Sequence, residues 1–225
     1  MKFKHYLTFK IIEFLPRIFV NLFLALYRQR LNHSLNYLLK NQIKIDTVYD
    51  IGAYRGHWSS FLKKTSLKKS KFFLFEANEG NEKYLKKFDF KNFITTLSDK
   101  EKKVNFFSKT WGGDSYYLEN SNFYKKELDG KIVKTDTLNR LVDKHNIPLP
   151  DLIKIDTQGS EIDILKGGNK ILSNCSLIYL ECPIIEYNLR SPNLDNYIQY
   201  LNSIGFVPYD ICETHKIDKI LIQID

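Results

Sequence analysis

The sequence predicts an α/β domain: a mostly parallel sheet with helices on both faces, ending in a C-terminal antiparallel hairpin. Three observations lead there. From Asp46 onward, short runs of β-branched and aromatic residues alternate with stretches of helical period, the pattern of strand–helix–strand units. The first run ends in a glycine turn, Gly52 to Gly56, that opens a helix. The last two runs, residues 206–211 and 217–224, have no helix between them, so the chain must return antiparallel.

The elements follow in order. Thr47–Ile51 is a β-branched run ending at glycine, a strand, and residues 58–64 form the helix after it. Residues 71–75 make a second apolar strand, 79–88 a second helix, 93–97 a third strand and 104–107 a peripheral fourth. Residues 109–122 contain Gly112, Gly113 and many aromatics and read as a loop. Residues 131–134 are strand-like and 138–144 helical. Leu152–Ile155 is a strand, 161–166 a helix and 176–181 a strand. Leu194–Ser203 is a helix with Gly205 just beyond its end, a common stop signal. In such sheets ligands bind beyond the carboxyl ends of the strands, which directs attention to the residues just after Ile51, Phe75, Leu97 and Ile155.

Ahead of this domain (residues 45–225) lies an N-terminal amphipathic helical segment, residues 1–44. Ile11, Leu15, Ile18, Phe19, Leu22, Phe23 and Leu26 fall at helical spacing. Glu13, Pro16, Arg17 and Asn21 interrupt the run, which is too short for the roughly 20 apolar residues of a membrane span. No small-residue cleavage site follows it, against a signal peptide. The segment is expected to pack on the domain or a partner, or to lie peripherally on a membrane surface.

The chain has 225 residues, 43% hydrophobic and 27% charged, enough for one domain with a full core. Its net charge is +8. The lysines are scattered over helix faces, as at Lys63, Lys64, Lys68, Lys69, Lys86 and Lys87, where they are solvated. No nucleic-acid partner is expected. Cys175, Cys182 and Cys212 are odd in number and lack CxxC spacing, against a disulfide framework or zinc site. They suit a reducing, cytoplasmic setting.

Asp50 is a charge inside an apolar strand, costly unless paired or functional. Gly52 and Gly56 let the backbone turn tightly and approach a ligand. Glu76 ends the second strand, where a carboxylate can accept hydrogen bonds from ribose hydroxyls. Gly52 and Glu76 are 24 residues apart, near the offset of about 20 in nucleoside-binding α/β units. The G-x-G-x-x-G fingerprint is missing: Ala53, Tyr54 and Arg55 separate the glycines. That favours S-adenosylmethionine over a dinucleotide. The third motif is LIKIDTQGSEIDILKGG, from Leu152 to Gly168. It carries Asp156 and Glu161 after an apolar strand, and Lys154 inside that strand, in need of a carboxylate partner.

With these motifs, the stretch from Val48 to Glu181 resembles the FkbM family of S-adenosylmethionine-dependent methyltransferases. Also part of the match are LSD at Leu97 to Asp99, the WGGDS loop and ECP at Glu181 to Pro183. The resemblance implies a Rossmann-like class I methyltransferase fold. It implies that Asp50, Gly52 and Gly56, with Tyr54, line the methionine part of the cofactor. It further implies that Glu76 holds the ribose, that Ser98 and Asp99 lie near adenine, and that Asp156 and Glu161, with Lys154, face the reaction centre. Two departures stand out: Tyr54 replaces the family's usual asparagine, and the family's threonine-leucine-aspartate reads TLN, Thr137 to Asn139. The carboxylate there is lost, or supplied by Asp136.

The expected reaction is O-methylation of a hydroxyl on a sugar, glycan or other small molecule, with Asp156 and Glu161 as base or substrate orienter. No extra carboxylate cluster is visible for a metal. His57, His145 and His215 show no partner spacing and read as surface or capping residues. The aromatic loop from Trp111 to Tyr117 either closes over the acceptor or packs as an ordinary loop. Rival readings are a non-catalytic nucleoside-binding module, an NAD enzyme, disfavoured by the missing glycine, and a nucleic-acid methyltransferase, for which no motif is present.

Overall fold

The computed structural model describes residues 28–109, 112–119, 130–186, 188–217 and 219–225. Residues 11–26 of the expected N-terminal amphipathic run, and Trp111, lie outside them. The elements are α1 (Gln29–Lys40), β1 (Thr47–Ile51), α2 (His57–Lys64), β2 (Lys71–Glu76), a 3₁₀ turn (Glu79–Asn81), α3 (Glu82–Leu85), β3 (Lys91–Ile94), β4 (Thr96–Leu97), β5 (Lys103–Phe106) and β6 (Lys131–Asp136). They continue with α4 (Leu138–His145), β7 (Leu152–Ile155), α5 (Glu161–Gly167), α6 (Asn169–Leu172), β8 (Leu177–Leu180), β9 (Cys182–Pro183), α7 (Leu194–Ser203), β10 (Thr214–Ile217) and β11 (Ile220–Ile224).

A five-stranded sheet in the order β3-β2-β1-β7-β8 forms the centre. All its pairings are parallel. Every residue of β1 and β7 is buried, as expected of central strands covered on both faces. Side chains alternate between two cores. Tyr49, Ile51, Ile153 and Ile155 meet α4, α5, α6 and Tyr197 of α7. Val48, Leu74 and Leu152 meet Leu31 and Leu35 of α1, Trp58 and Leu62 of α2 and Leu85 of α3. The helix α1 therefore belongs to the domain's second core. Arg30 and Ser34 also bond Asp210.

Two smaller sheets flank the centre. The strands β4 and β6 pair in parallel, and β5 returns antiparallel on β6. The C-terminal hairpin is β10 on β11, and β11 also pairs with β9. The expected strand at 206–211 does not form. Pro208 has no N–H to give a ladder, and Asp210 spends its carboxylate on Ile211 N, Arg30 and Ser34. The hairpin is thus shifted toward the end of the chain, and it sits beside the main sheet instead of at its edge.

Helix ends follow local chemistry. Thr137 caps α4 by accepting from Arg140 N, and Asp136 accepts from Thr137 N. Asn193 and Asn196 close a reciprocal capping box on α7. Among the described residues, no helix is long and apolar enough to cross a membrane.

Candidate active site

The carboxyl ends of β1, β2, β4 and β7 open into one cleft of about 570 Å³, a size typical of small-molecule sites. Strand register builds its floor. Asp50 on β1 lies directly beside Lys154 on β7, so their side chains share a face. Lys154 Nζ reaches Asp50 Oδ1 at 3.1 Å and Asp156 Oδ2 at 3.4 Å, and donates to Gly52 O at 2.8 Å. Asp50 also accepts from Ser59 at 2.6 Å. Burial alone would lower the Lys154 pKa, but Asp50 and Asp156 outweigh it and hold the ammonium charged. The lysine thus finds the carboxylate partner its place in a strand requires.

The first turn wraps tightly over this pair. Gly52 has φ +72°, and a Cβ there would lie 1.9 Å from Asp156 O. Tyr54 adopts φ +50°, a region that asparagine tolerates better than most residues; the exchange of the family's asparagine falls on this strained position. Its N–H donates to Glu76 Oε2 at 2.7 Å, while Asn78 N donates to Oε1 at 2.8 Å and Asn81 Nδ2 to Oε1 at 3.2 Å. Burial pushes the Glu76 carboxyl up to about 7, against the opposing pull of these donors. Arg55 stacks on the rings of Tyr54 and Tyr84.

The glycine-rich loop forms one wall. Gly112, Gly113, Asp114, Ser115 and Tyr116 all line the cleft. Ser115 donates to Gln158 O at 2.8 Å and Tyr116 to Asp163 at 2.9 Å. Asp114 accepts from Lys109 N and from Asn78 Nδ2.

Of the residues singled out from sequence, Gly52, Tyr54, Glu76, Lys154 and Asp156 line the cleft. Asp50 lies beneath it, and Gly56 packs against Phe88 and Leu85 behind it. Ser98 is buried and bonded to Asp99 and Tyr116, while Asp99 pairs with Lys102. Glu161 is fully buried. It accepts from Thr157 N at 2.8 Å, Gly159 N at 2.9 Å and Tyr197 Oη at 2.5 Å. It ties the loop after β7 to α7 instead of facing the cleft.

The fold adds groups to which the sequence assigned no site role. Glu181, after β8, accepts from Gln158 and Gln223. Burial pushes its carboxyl well up, and the neighbouring Asp156 charge pushes the same way. Desolvation works against the Asp156 charge, but Lys154 and hydrogen bonds from Glu181 and Gln158 hold it below the usual carboxylate range. The two carboxyls thus pull apart, Asp156 toward the charged form and Glu181 toward the neutral one. Beyond it the hairpin brings Glu213, His215 and Asp225 together, their ligating atoms within 4.8 Å of one another. Arg28 and Tyr179 border the same end. His215 is thus a cleft residue, not a surface or capping one; its signal lies in the tertiary return of the hairpin and is invisible to local spacing. His145, by contrast, does sit in the last turn of α4.

The residues fit S-adenosylmethionine. A buried carboxylate ends β2, a close backbone turn ends β1, and Ala77, Thr96 and Leu97 line the same cleft with small or apolar side chains. A crystal structure of an FkbM methyltransferase from Methylobacillus flagellatus KT aligns at a TM-score of 0.51 and 18% identity, over 80% of this chain and 43% of that one. This chain spans less than half of that protein. A structure of the plantazolicin methyltransferase BpumL with SAH aligns at 0.42 and 13% identity, over 81% of this chain and 64% of that one. Precorrin-6y C5,15-methyltransferase from Geobacter metallireducens GS-15 aligns at 0.43 and 14%, over 86% and 83%. No curated protein matches by sequence. The family profile described as Methyltransferase FkbM domain matches residues 50–208, well over half of the chain. The chain therefore belongs to the FkbM methyltransferase domain family, with a Rossmann-like class I methyltransferase fold and S-adenosylmethionine as methyl donor.

Proposed function

We propose that this domain methylates a hydroxyl of a sugar, glycan or other small polyhydroxylated molecule. The observation that carries the reading is Asp156: a carboxylate at the tip of β7, facing the cleft and kept ionised by Lys154. Bound S-adenosylmethionine supplies a methyl group on a sulfonium, ready for in-line displacement. Glu76 would hold its ribose, and the Gly52–Tyr54 turn its methionine portion. A carboxylate held below its usual range is a poor proton acceptor but a strong hydrogen-bond acceptor. Asp156 therefore orients the acceptor hydroxyl toward the methyl carbon. Such alignment supplies as much as about 7–11 kcal/mol of barrier reduction in favourable cases. Glu161 acts as a positioning residue, fixing the loop that carries Asp156. Lys154 sets the charge of Asp156 from below. Three free thiols suit a cytoplasmic setting.

The test is methyl transfer from labelled S-adenosylmethionine to a panel of methyl glycosides, polyols, amines and carboxylic acids. Label appearing as an ether on a hydroxyl acceptor supports the reading. Exclusive transfer to nitrogen, carbon or carboxylate acceptors overturns it.

A further inference from the structure

We propose that His215 takes the proton from the acceptor hydroxyl, so that the end of the cleft formed by the C-terminal hairpin is the acceptor subsite. This rests on the hydroxyl-methylation reading above.

The cleft has two unlike ends. Around Glu76, Ala77, Thr96 and Leu97 it is lined by one buried carboxylate and small or apolar side chains, which suits a nucleoside. At the other end the hairpin contributes Glu213, His215 and Asp225, and β8 contributes Tyr179. His215 Nε2 lies 3.4 Å from Asp225 Oδ1. Asp225 is itself fixed by Gln223 at 3.2 Å and by Tyr179 at 3.2 Å. An imidazole oriented by a carboxylate that is itself held in place is the arrangement of a general base. Asp156 lines the same cleft, close enough for its charge to act on His215. Carboxylates and an imidazole share this lining with Tyr179 and Trp58, whose ring centroids lie 5.9 Å apart, a mix of hydrogen-bond acceptors and aromatic groups that matches a neutral polyhydroxylated ring.

The step balances simply. A new O–C bond forms, the S–C bond breaks with its electron pair going to sulfur, and the hydroxyl proton passes to an imidazole nitrogen of His215.

Charges around His215 set its pH behaviour. Gln223 pairs with it from β11, Asp225 faces it from just past the end of β11, and Glu213 stands just ahead of its own strand. Tyr179 approaches from β8, Asp156 and Glu181 from the strand tips, and Arg28 from the start of α1. Burial works to lower the imidazole pKa, but Asp225, Glu213 and Asp156 raise it above the ordinary histidine value. The base is then protonated at low pH, and turnover rises with pH through a pKa above that of an ordinary histidine.

The experiment uses the full chain saturated with S-adenosylhomocysteine, its binding confirmed by calorimetry. Histidine ring ¹H–¹⁵N NMR is followed as methyl α-D-gluco-, manno- and galactopyranoside are added. The His215 signals, assigned by their loss in His215→Gln, should shift with at least one glycoside. His215→Gln should keep S-adenosylhomocysteine affinity and a cooperative melting transition, and lose about 10²-fold or more in methyl transfer. Asp225→Asn should move the acid limb of the pH profile to lower pH, because the charge that raises the imidazole pKa is gone. The proposal is overturned if S-adenosylhomocysteine binds yet no glycoside moves the His215 signals, or if His215→Gln turns over normally. It is also overturned if EDTA abolishes transfer and micromolar Mn²⁺ broadens those signals, which would make the triangle a cation site. Failure to bind S-adenosylhomocysteine at all would instead sink the methyl-donor assignment.

Discussion

Gly52→Ala should disrupt both the cofactor turn and the centre of the sheet. Two penalties fall on the same atom. A Cβ at this position would lie 1.9 Å from Asp156 O and 2.8 Å from Asp156 C, both backbone atoms that cannot rotate aside. The residue also needs φ +72°, which costs a non-glycine residue about 1–2 kcal/mol. Forcing the added atom into a closed space costs about 1–3 kcal/mol more. The tips of β1 and β7 would have to part, and with them Gly52 O from Lys154 and Asp50 from its ion pair. At about 2–4 °C per kcal/mol for a domain of this size, the melting temperature should fall markedly. S-adenosylhomocysteine affinity should drop more than tenfold. Gly205→Ala is the control. It has φ +90° but nothing within 4 Å of a built Cβ, so it meets only the backbone penalty, outside the cleft lining. Equal melting temperatures for the two variants would refute the steric account.

Lys154→Met should destabilise the fold by about 3–5 kcal/mol, the usual cost of removing one partner of a buried ion pair. Methionine fills the space of the lysine stem, so packing changes little. What remains is Asp50, fully buried, which keeps Ser59 as a hydrogen-bond donor but has lost its counter-charge. Adding Asp50→Asn removes the stranded charge and keeps an oxygen for Ser59, so the double variant should recover part of the loss. Chemical denaturation of the wild type, both single variants and the double variant measures the coupling. Additive losses would mean that the pair is not coupled. Turnover separates a second effect: the double variant, though refolded, still lacks the charge that keeps Asp156 ionised, and should remain impaired.

The central strands were the most legible part of the chain. Thr47–Ile51, Leu152–Ile155 and Leu194–Ser203 fall where their residue patterns place them, because continuous burial or a capped helical period leaves no competing structure. Where the reading failed, side chains competed with backbone ladders. Residues 79–88 yield a 3₁₀ turn and a short helix instead of one long helix. Asn78 accepts from Gly80 N at 2.9 Å, and such local side-chain bonds favour turns over helix. Residues 93–97 split into β3 and β4 once Thr95 N bonds Glu76 O, and the chain then leaves for another sheet.

The site divides in the same way. Glu76, Lys154 and Asp156 announce themselves as charges at the tips or interiors of apolar strands. Glu161 has the same local signature, yet its carboxylate turns into the protein to hold a loop, which only the tertiary path of Tyr197 decides. Glu213, His215 and Asp225 carry no local sign. They reach the cleft because β11 pairs with β9 and folds the hairpin back toward β8.

The claim on which the rest depends is that the Gly52–Glu76 end of the cleft binds an adenosyl sulfonium and not a dinucleotide. Calorimetric titration of the wild type and Glu76→Ala with S-adenosylmethionine, S-adenosylhomocysteine and NAD tests it most directly. The wild type should bind both adenosyl ligands and give no heat with NAD. Glu76→Ala should lose about 1.5–3 kcal/mol of that affinity, the usual worth of hydrogen bonds to a charged group. NAD binding as tightly as S-adenosylmethionine, or an unchanged affinity in Glu76→Ala, would contradict the account.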